Sequence, residues 1–210
     1  MVININDETF FYQETARTIV DSILELFNRG IKRFESYEQW DYNVPISDPD
    51  ESYCYFNWDY EVVRADTDKA DFKYSFFGSA GKDCHDEPSI SISIVIPKAK
   101  HQKKIAIDCA ELFDVVAHEL HHLAQNIDNN HYPYNLNNHQ GKLAYLLDPY
   151  EVEAFHIGIR AHAALSDRTF DEIAEKYIKE TWAEGSQDQI NLIINTWKTT
   201  TFPIFKKNQY

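Results

Sequence analysis

Cysteine is scarce in this chain: three residues in 210, at positions 54, 84 and 109, an odd number with no Cys-x-x-Cys spacing. That excludes a disulfide framework and a cysteine zinc knuckle, and it makes a reducing, intracellular setting the default expectation. Cations are also in deficit. Twenty Lys and Arg face 34 Asp and Glu, for a net charge of −14, and no Arg/Lys cluster with interleaved aromatics offsets that balance. Phosphate backbones need a basic surface, so this balance argues against nucleic acid as a partner. No run of 18 apolar residues occurs, which excludes a membrane-spanning helix. Residues 1–8, Met-Val-Ile-Asn-Ile-Asn-Asp-Glu, lack the basic and apolar regions of a secretory signal. The expectation is a cytoplasmic protein with neither membrane nor nucleic-acid partners.

What is present is a chain able to build a core. With 43% hydrophobic residues, positions 1–210 read as a single domain. The 13 Tyr and 13 Phe fit either that core or an aromatic-lined peptide groove. Residues 8–29 carry Ile19, Ile23, Leu26 and Phe27 on one helical face, with Gly30 behind them. A Pro/Asp/Ser loop covers 43–52. Two β-rich stretches, 53–64 and 71–77, flank Ala-Asp-Thr-Asp-Lys-Ala and suggest a hairpin, and a Gly/Asp-rich loop covers 78–88. Residues 89–96 alternate Ser and Ile, a strand with one buried face, and 105–107 add a short strand. The rest is helical: 149–165, then 170–184 behind a Thr169/Glu172 capping box, then 187–198. The predicted fold class is α+β, with an N-terminal helix, a mostly antiparallel twisted sheet, a central helix and C-terminal helices.

The most informative residues lie in that central helix. Residues 115–124 read Val-Val-Ala-His-Glu-Leu-His-His-Leu-Ala and contain His118-Glu119-x-x-His122. Residues four apart share one helix face, so the imidazoles of His118 and His122 converge on one point, and Glu119 stands beside them. Two imidazoles on one turn suit zinc, and a carboxylate next to the ion suits a base that takes a proton from water. In a chain with nine histidines the pattern is expected by chance roughly 0.03 times. Asp108 and Glu111 have capping-box spacing, and Leu112, Val116, Leu120, Leu123 and Ile127 form a core-facing stripe. The competing reading makes His118 and His122 satisfied core histidines. His121 and His118 also make an i, i+3 pair, but the i, i+4 pair aligns better, which leaves His121 to pack or to hold a neighbour by a hydrogen bond.

Downstream, residues 148–155 read Asp-Pro-Tyr-Glu-Val-Glu-Ala-Phe and open a helix with Pro149 in its first position. Together with His118-Glu119-x-x-His122, this arrangement resembles the zincin metallopeptidases, specifically the gluzincin branch, in which a glutamate on a second helix completes the metal site. Glu151-Val152-Glu153-Ala154 fits the Glu-x-x-small pattern of that helix, and the resemblance implies Glu151 as the third ligand. The residues alone leave an alternative. Asp148-x-x-Glu151 also has capping-box spacing, which would turn Glu151 toward the helix start and make Glu153 the better ligand. The family often carries an aspartate where Phe155 stands here, so the partner that orients a histidine is not identified by the resemblance.

The resemblance implies a small zincin-like domain and a zinc-dependent peptidase, an endopeptidase in the sense of cutting within a peptide or protein substrate. Zn2+ would be held by His118, His122 and Glu151, with Glu119 as general base. It also implies an edge strand beside the metal helix that takes up extended substrate, for which 89–96 is the candidate, with an interior strand as the plainer reading. Tyr150, Tyr134 and His131 are candidate donors to the developing oxyanion, and the Asn-rich segment 126–140, which also holds Tyr132 and His139, is a candidate lid or a plain surface loop. A soluble acidic protein of this size suits a microbial or phage source. The alternatives are a non-catalytic binding or structural protein whose zinc only staples two helices, and a hydrolase acting on a non-peptide amide.

Overall fold

The computed structural model describes residues 13–41, 53–66, 72–82, 88–129 and 141–200. They form an α+β fold with six helices and a four-stranded sheet. The first helix, α1 (Gln13–Arg29), buries Ala16, Ile19, Val20, Ile23, Leu26 and Phe27. Gly30 ends it at φ +83°, with the Gly30 N–H on Phe27 O at 3.0 Å and the Ile31 N–H on Leu26 O at 3.0 Å. That is a Schellman stop, which a left-handed glycine closes at least cost. The predicted start of this helix at residues 8–12 lies outside the described residues, as does the 43–52 loop.

The sheet comprises β1 (Arg33–Asp41), β2 (Tyr53–Ala65), β3 (Ser75–Lys82) and β4 (Pro88–Pro97), in the order β1-β2-β4-β3. β1 with β2 and β3 with β4 are antiparallel, whereas β2 with β4 is parallel, so the sheet is mixed. The expected hairpin between the second and third strands does not form, because β4 inserts between them. The physical reason is burial. Ile90, Ile92, Ile94 and Ile96 are all inaccessible to solvent, and the strand with the most apolar inward face goes to the middle, paired on both sides. β1 falls in a stretch for which the sequence suggested no element. Residues 105–107 run without strand pairing, and Gly78 and Gly81, read as loop glycines, lie inside β3.

Against the sheet's inner face packs α2 (Cys109–Asn129), which carries the histidine motif. Its start is held by the Asp108 carboxylate, which accepts from the Ala110 N–H at 2.9 Å. The expected reciprocal bond from Glu111 is not made, since Asp108 N–H donates to Tyr74 Oη at 3.0 Å and Glu111 accepts from Lys176 Nζ at 2.8 Å. Leu112, Val116, Leu120 and Leu123 are fully buried, as the stripe predicts, while the side chain of Ile127 lies outside those described. A short helix α3 (Lys142–Leu146) leads into α4 (Pro149–Leu165), α5 (Phe170–Thr181) and α6 (Gln187–Thr199). The Thr169/Glu172 capping box is present. α4 straddles two cores: Ile157 and Ala161 join the sheet-side cluster, while Val152, Phe155 and Ile159 join α5 and α6. A helix apolar on so many sides has to be buried on both.

Close approach of α2 and α4 depends on Gly158. A Cβ there would lie 2.8 Å from the Asp114 carbonyl oxygen and would overlap the Asp114 carboxylate, which reaches across to His162 Nδ1 at 3.2 Å. Helix propensity favours Ala over Gly by about 1 kcal/mol. Overpacking against a backbone wall costs about 1–3 kcal/mol. Gly158→Ala is therefore expected to lower Tm by a few degrees, reversing the usual effect of that substitution in a helix; a raised Tm in thermal unfolding would refute the close-approach account.

Candidate metal centre

The two helices bring three side chains to one point. His118 and His122, one turn apart on α2, place their Nε2 atoms 3.1 Å from each other. Glu151, in the first turn of α4, sets Oε2 3.5 Å from His118 Nε2 and Oε1 3.5 Å from His122 Nε2. All three donor atoms lie within 4.8 Å of one another, and among the described residues this is the group of three that could hold a metal ion. A tetrahedral centre with bonds of about 2.0–2.2 Å has edges of about 3.3–3.6 Å between its ligand atoms. The 3.1 Å between the two imidazole nitrogens is close to such an edge, each imidazole meets a different Glu151 oxygen at 3.5 Å, and two imidazole nitrogens with a carboxylate are a donor set zinc accepts.

The electrostatics agree with a cation site. Burial alone would push the Glu151 carboxyl up, but hydrogen bonds and charge from both imidazoles outweigh it and hold the group well below the usual carboxylate range. For His122 burial acts downward, and the bonds and charge of Glu151, with Glu119 and Gln125, reverse the sign and raise its pKa. The opening is on the histidine side, where the His118 and His122 side chains are 12% and 16% exposed against 4% for Glu151.

Glu119 is not among these three. Its side chain is buried against β3, where a Cβ on Gly78 would come within 2.5 Å of its Cγ and Oε1. A side chain at position 78 would displace the carboxylate from that spot, which gives a glycine inside a strand a physical reason. Burial pushes the Glu119 carboxyl up, opposed by His118, His122 and a hydrogen bond from the Ala80 backbone. Among the described residues β3 is an edge strand, antiparallel to β4, and it lies beside the motif helix. Residues 89–96, the candidate for that edge, form the interior strand β4, as the plainer of the two readings had it.

The other candidates separate cleanly. Asp148 caps α4 through the Tyr150 N–H at 3.0 Å, so Glu151 is turned to the histidines and not back to the helix start. Glu153 lies half a turn away and meets a different histidine, with its Oε2 3.4 Å from His121 Nε2. His121 is wholly buried, which pushes its pKa down despite Glu153. The Tyr150 side chain is exposed. His131, Tyr132, Tyr134 and His139 lie outside the described residues, as does the 130–140 part of the Asn-rich segment. Phe155, where the resemblance would put an aspartate, sets its ring edge against His118 with centroids 4.7 Å apart, and stacks on Trp197 at 4.4 Å. His118 is thus braced by an aromatic wall.

Sequence reasoning did not find Gln125. It is buried on α2 one turn past His122, with its Oε1 2.8 Å from His122 Nδ1. Its position three residues beyond a ligand-type histidine on a helix was the available signal. Asp114 and His162, paired across α2 and α4, were likewise missed. Comparison of the chain with protein-family models, with curated proteins and with solved structures finds no match.

Proposed function

We propose that this protein is a zinc-dependent peptidase of zincin type, with zinc held by His118, His122 and Glu151 and Glu119 as the general base. The observation that carries the reading is the joint geometry: three donor atoms from His118, His122 and Glu151 within 4.8 Å of one another, and a buried carboxylate one residue from the first histidine. When bound, zinc supplies Lewis acidity toward water and the scissile carbonyl. Glu119, with its pKa raised by burial, is suited to take a proton from water as the oxygen bonds to the carbonyl carbon, and to give it to the nitrogen as the C–N bond breaks. Among the described residues the outer edge of β3 pairs with no other strand, and an extended peptide can align along it, next to Glu119. A purely structural site would need no buried carboxylate pressed against glycine at this place, which favours catalysis over a staple.

The assignment of the third ligand has its own test. Glu151→Gln is expected to weaken zinc binding far more than Glu153→Gln, because only Glu151 faces both imidazoles. Competition with a chromophoric chelator measures both affinities, and the reverse ranking would transfer the ligand role to Glu153. For the reaction class, the zinc-loaded protein is incubated with an unstructured protein mixture and the new amino termini are counted. Cleavage supports a peptidase; full zinc occupancy with no cleavage supports the structural reading, and hydrolysis confined to small amides would redirect it to a non-peptide hydrolase.

A further inference from the structure

We propose that Gln125 is a positioning residue that sets the tautomer of His122, and that Glu153 and the Tyr150 carbonyl hold Gln125 in the orientation this requires. The proposal deepens the reading of His122 as a metal ligand and rests on it for its consequence, though not for its geometry. A glutamine amide has a donor end and an acceptor end that heavy-atom positions do not distinguish, so its neighbours decide. Gln125 Nε2 lies 2.9 Å from Glu153 Oε2 and 3.1 Å from the Tyr150 carbonyl oxygen. Both neighbours are acceptors; reversing the amide would set oxygen against a carboxylate and a carbonyl at once. The other end, Oε1, therefore faces His122 Nδ1 at 2.8 Å and must accept, which puts the proton on Nδ1. In the neutral ring, His122 Nε2 is left bare with its lone pair toward His118, the form a metal ion requires.

Glu153 is itself tied down. His121 Nε2, 3.4 Å away, donates to the same Oε2 that accepts from Gln125. The chain His121–Glu153–Gln125–His122 thus links the unused histidine of the motif to the used one, and joins α2 to α4 one half-turn from Glu151. Glu153 and His121 acquire a task that is neither ligand nor filler. Such outer partners fix ring orientation and ligand basicity, and their loss typically costs about 10- to 100-fold in metal affinity.

The test is nitrogen-resolved NMR of the histidine rings in the metal-free protein, combined with zinc competition. Wild type is expected to show His122 protonated on Nδ1 and bare on Nε2 once neutral. Gln125→Met keeps length and helix propensity but accepts no hydrogen bond from Nδ1. It is expected to let the Nε2–H form appear and to raise the zinc Kd by about 10- to 100-fold, with unchanged circular dichroism. Gln125→Glu keeps an acceptor at Nδ1 but sets two carboxylates side by side, so the Nδ1–H form is expected to persist while stability falls; adding Glu153→Gln restores a donor between them, and recovered stability with the tautomer unchanged is a result that mere packing would not produce. A wild-type spectrum with His122 protonated on Nε2 overturns the proposal, even if Gln125→Met proves unstable. So does a folded Gln125→Met with wild-type tautomer and wild-type zinc affinity. Wild type with the Nδ1–H form but no zinc uptake would support the positioning of His122 while refuting the metal reading itself.

Discussion

Glu119→Gln is expected to lower peptide hydrolysis by roughly 10²–10⁴-fold while leaving fold and zinc content unchanged. The substitution keeps the side chain's size, which matters because its Cγ and Oε1 fill the space where a Gly78 Cβ would stand. Glutamine fits that slot but cannot accept the proton. The loss should appear mainly in kcat, since a base acts on the transition state more than on binding. Wild-type kcat/KM should carry an acid limb set by Glu119, lying above the ordinary glutamate value of 4.5 because burial raises this group. The sign follows from the role: a base works ionised, so activity falls as pH drops through a raised pKa. That limb should be missing from the residual activity of the variant. Equal hydrolysis of a broad peptide library by wild type and Glu119→Gln would remove Glu119 from the chemistry.

Removing one imidazole is expected to abolish stoichiometric metal. Wild type should carry about one zinc per chain, and His118→Ala or His122→Ala close to none, because each deletes one of three donors. Zinc in excess over Kd by 100-fold stabilises a folded protein by about 2.7 kcal/mol if the unfolded chain does not bind it. For a chain of this size that corresponds to a Tm gain of about 5–10 °C. Chelation should cancel the gain in wild type and do nothing in the two variants. Affinity should also fall in acid, since protons compete with the metal for both imidazoles. Zinc bound one to one by both single variants, measured by elemental analysis after dialysis, would sink the assignment of these histidines.

Much of the candidate site was legible because it is local. A helix repeats every 3.6 residues, so four-residue spacing alone set His118 and His122 on one face, and the leucine stripe told which side of α2 is buried. Caps are local too. Thr169 and Glu172 announced the start of α5, and Asp148 and Pro149 that of α4. The choice between Glu151 and Glu153 was not local. Both lie in the first turns of α4, and which one meets the histidines depends on how that helix sits against α2. That in turn follows from the contact at Gly158 and the Asp114–His162 pair, about one and a half to three helical turns further along α4.

The sheet divides in the same way. Alternation identified β4 and its buried isoleucines, since a strand's period of two is written in neighbouring residues. Strand order was decided by the competition among whole strands for the centre, where β4 displaced the expected hairpin and sent β3 to the edge. Two consequences for the site followed from that placement alone. Gly78, which reads as a loop residue in sequence, became the slot that admits Glu119, and among the described residues the outer edge beside α2 became that of β3. Gln125 belongs with these. Its neighbours His122, Glu153 and Tyr150 lie on two helices, 25 to 28 residues apart across the α2–α4 contact, and only their packing turns a helical glutamine into the partner of a histidine. Local periodicity determined which residues can act together on one element; long-range packing, driven by burial of the isoleucine strand and by the close crossing of α2 on α4, decided which of them meet.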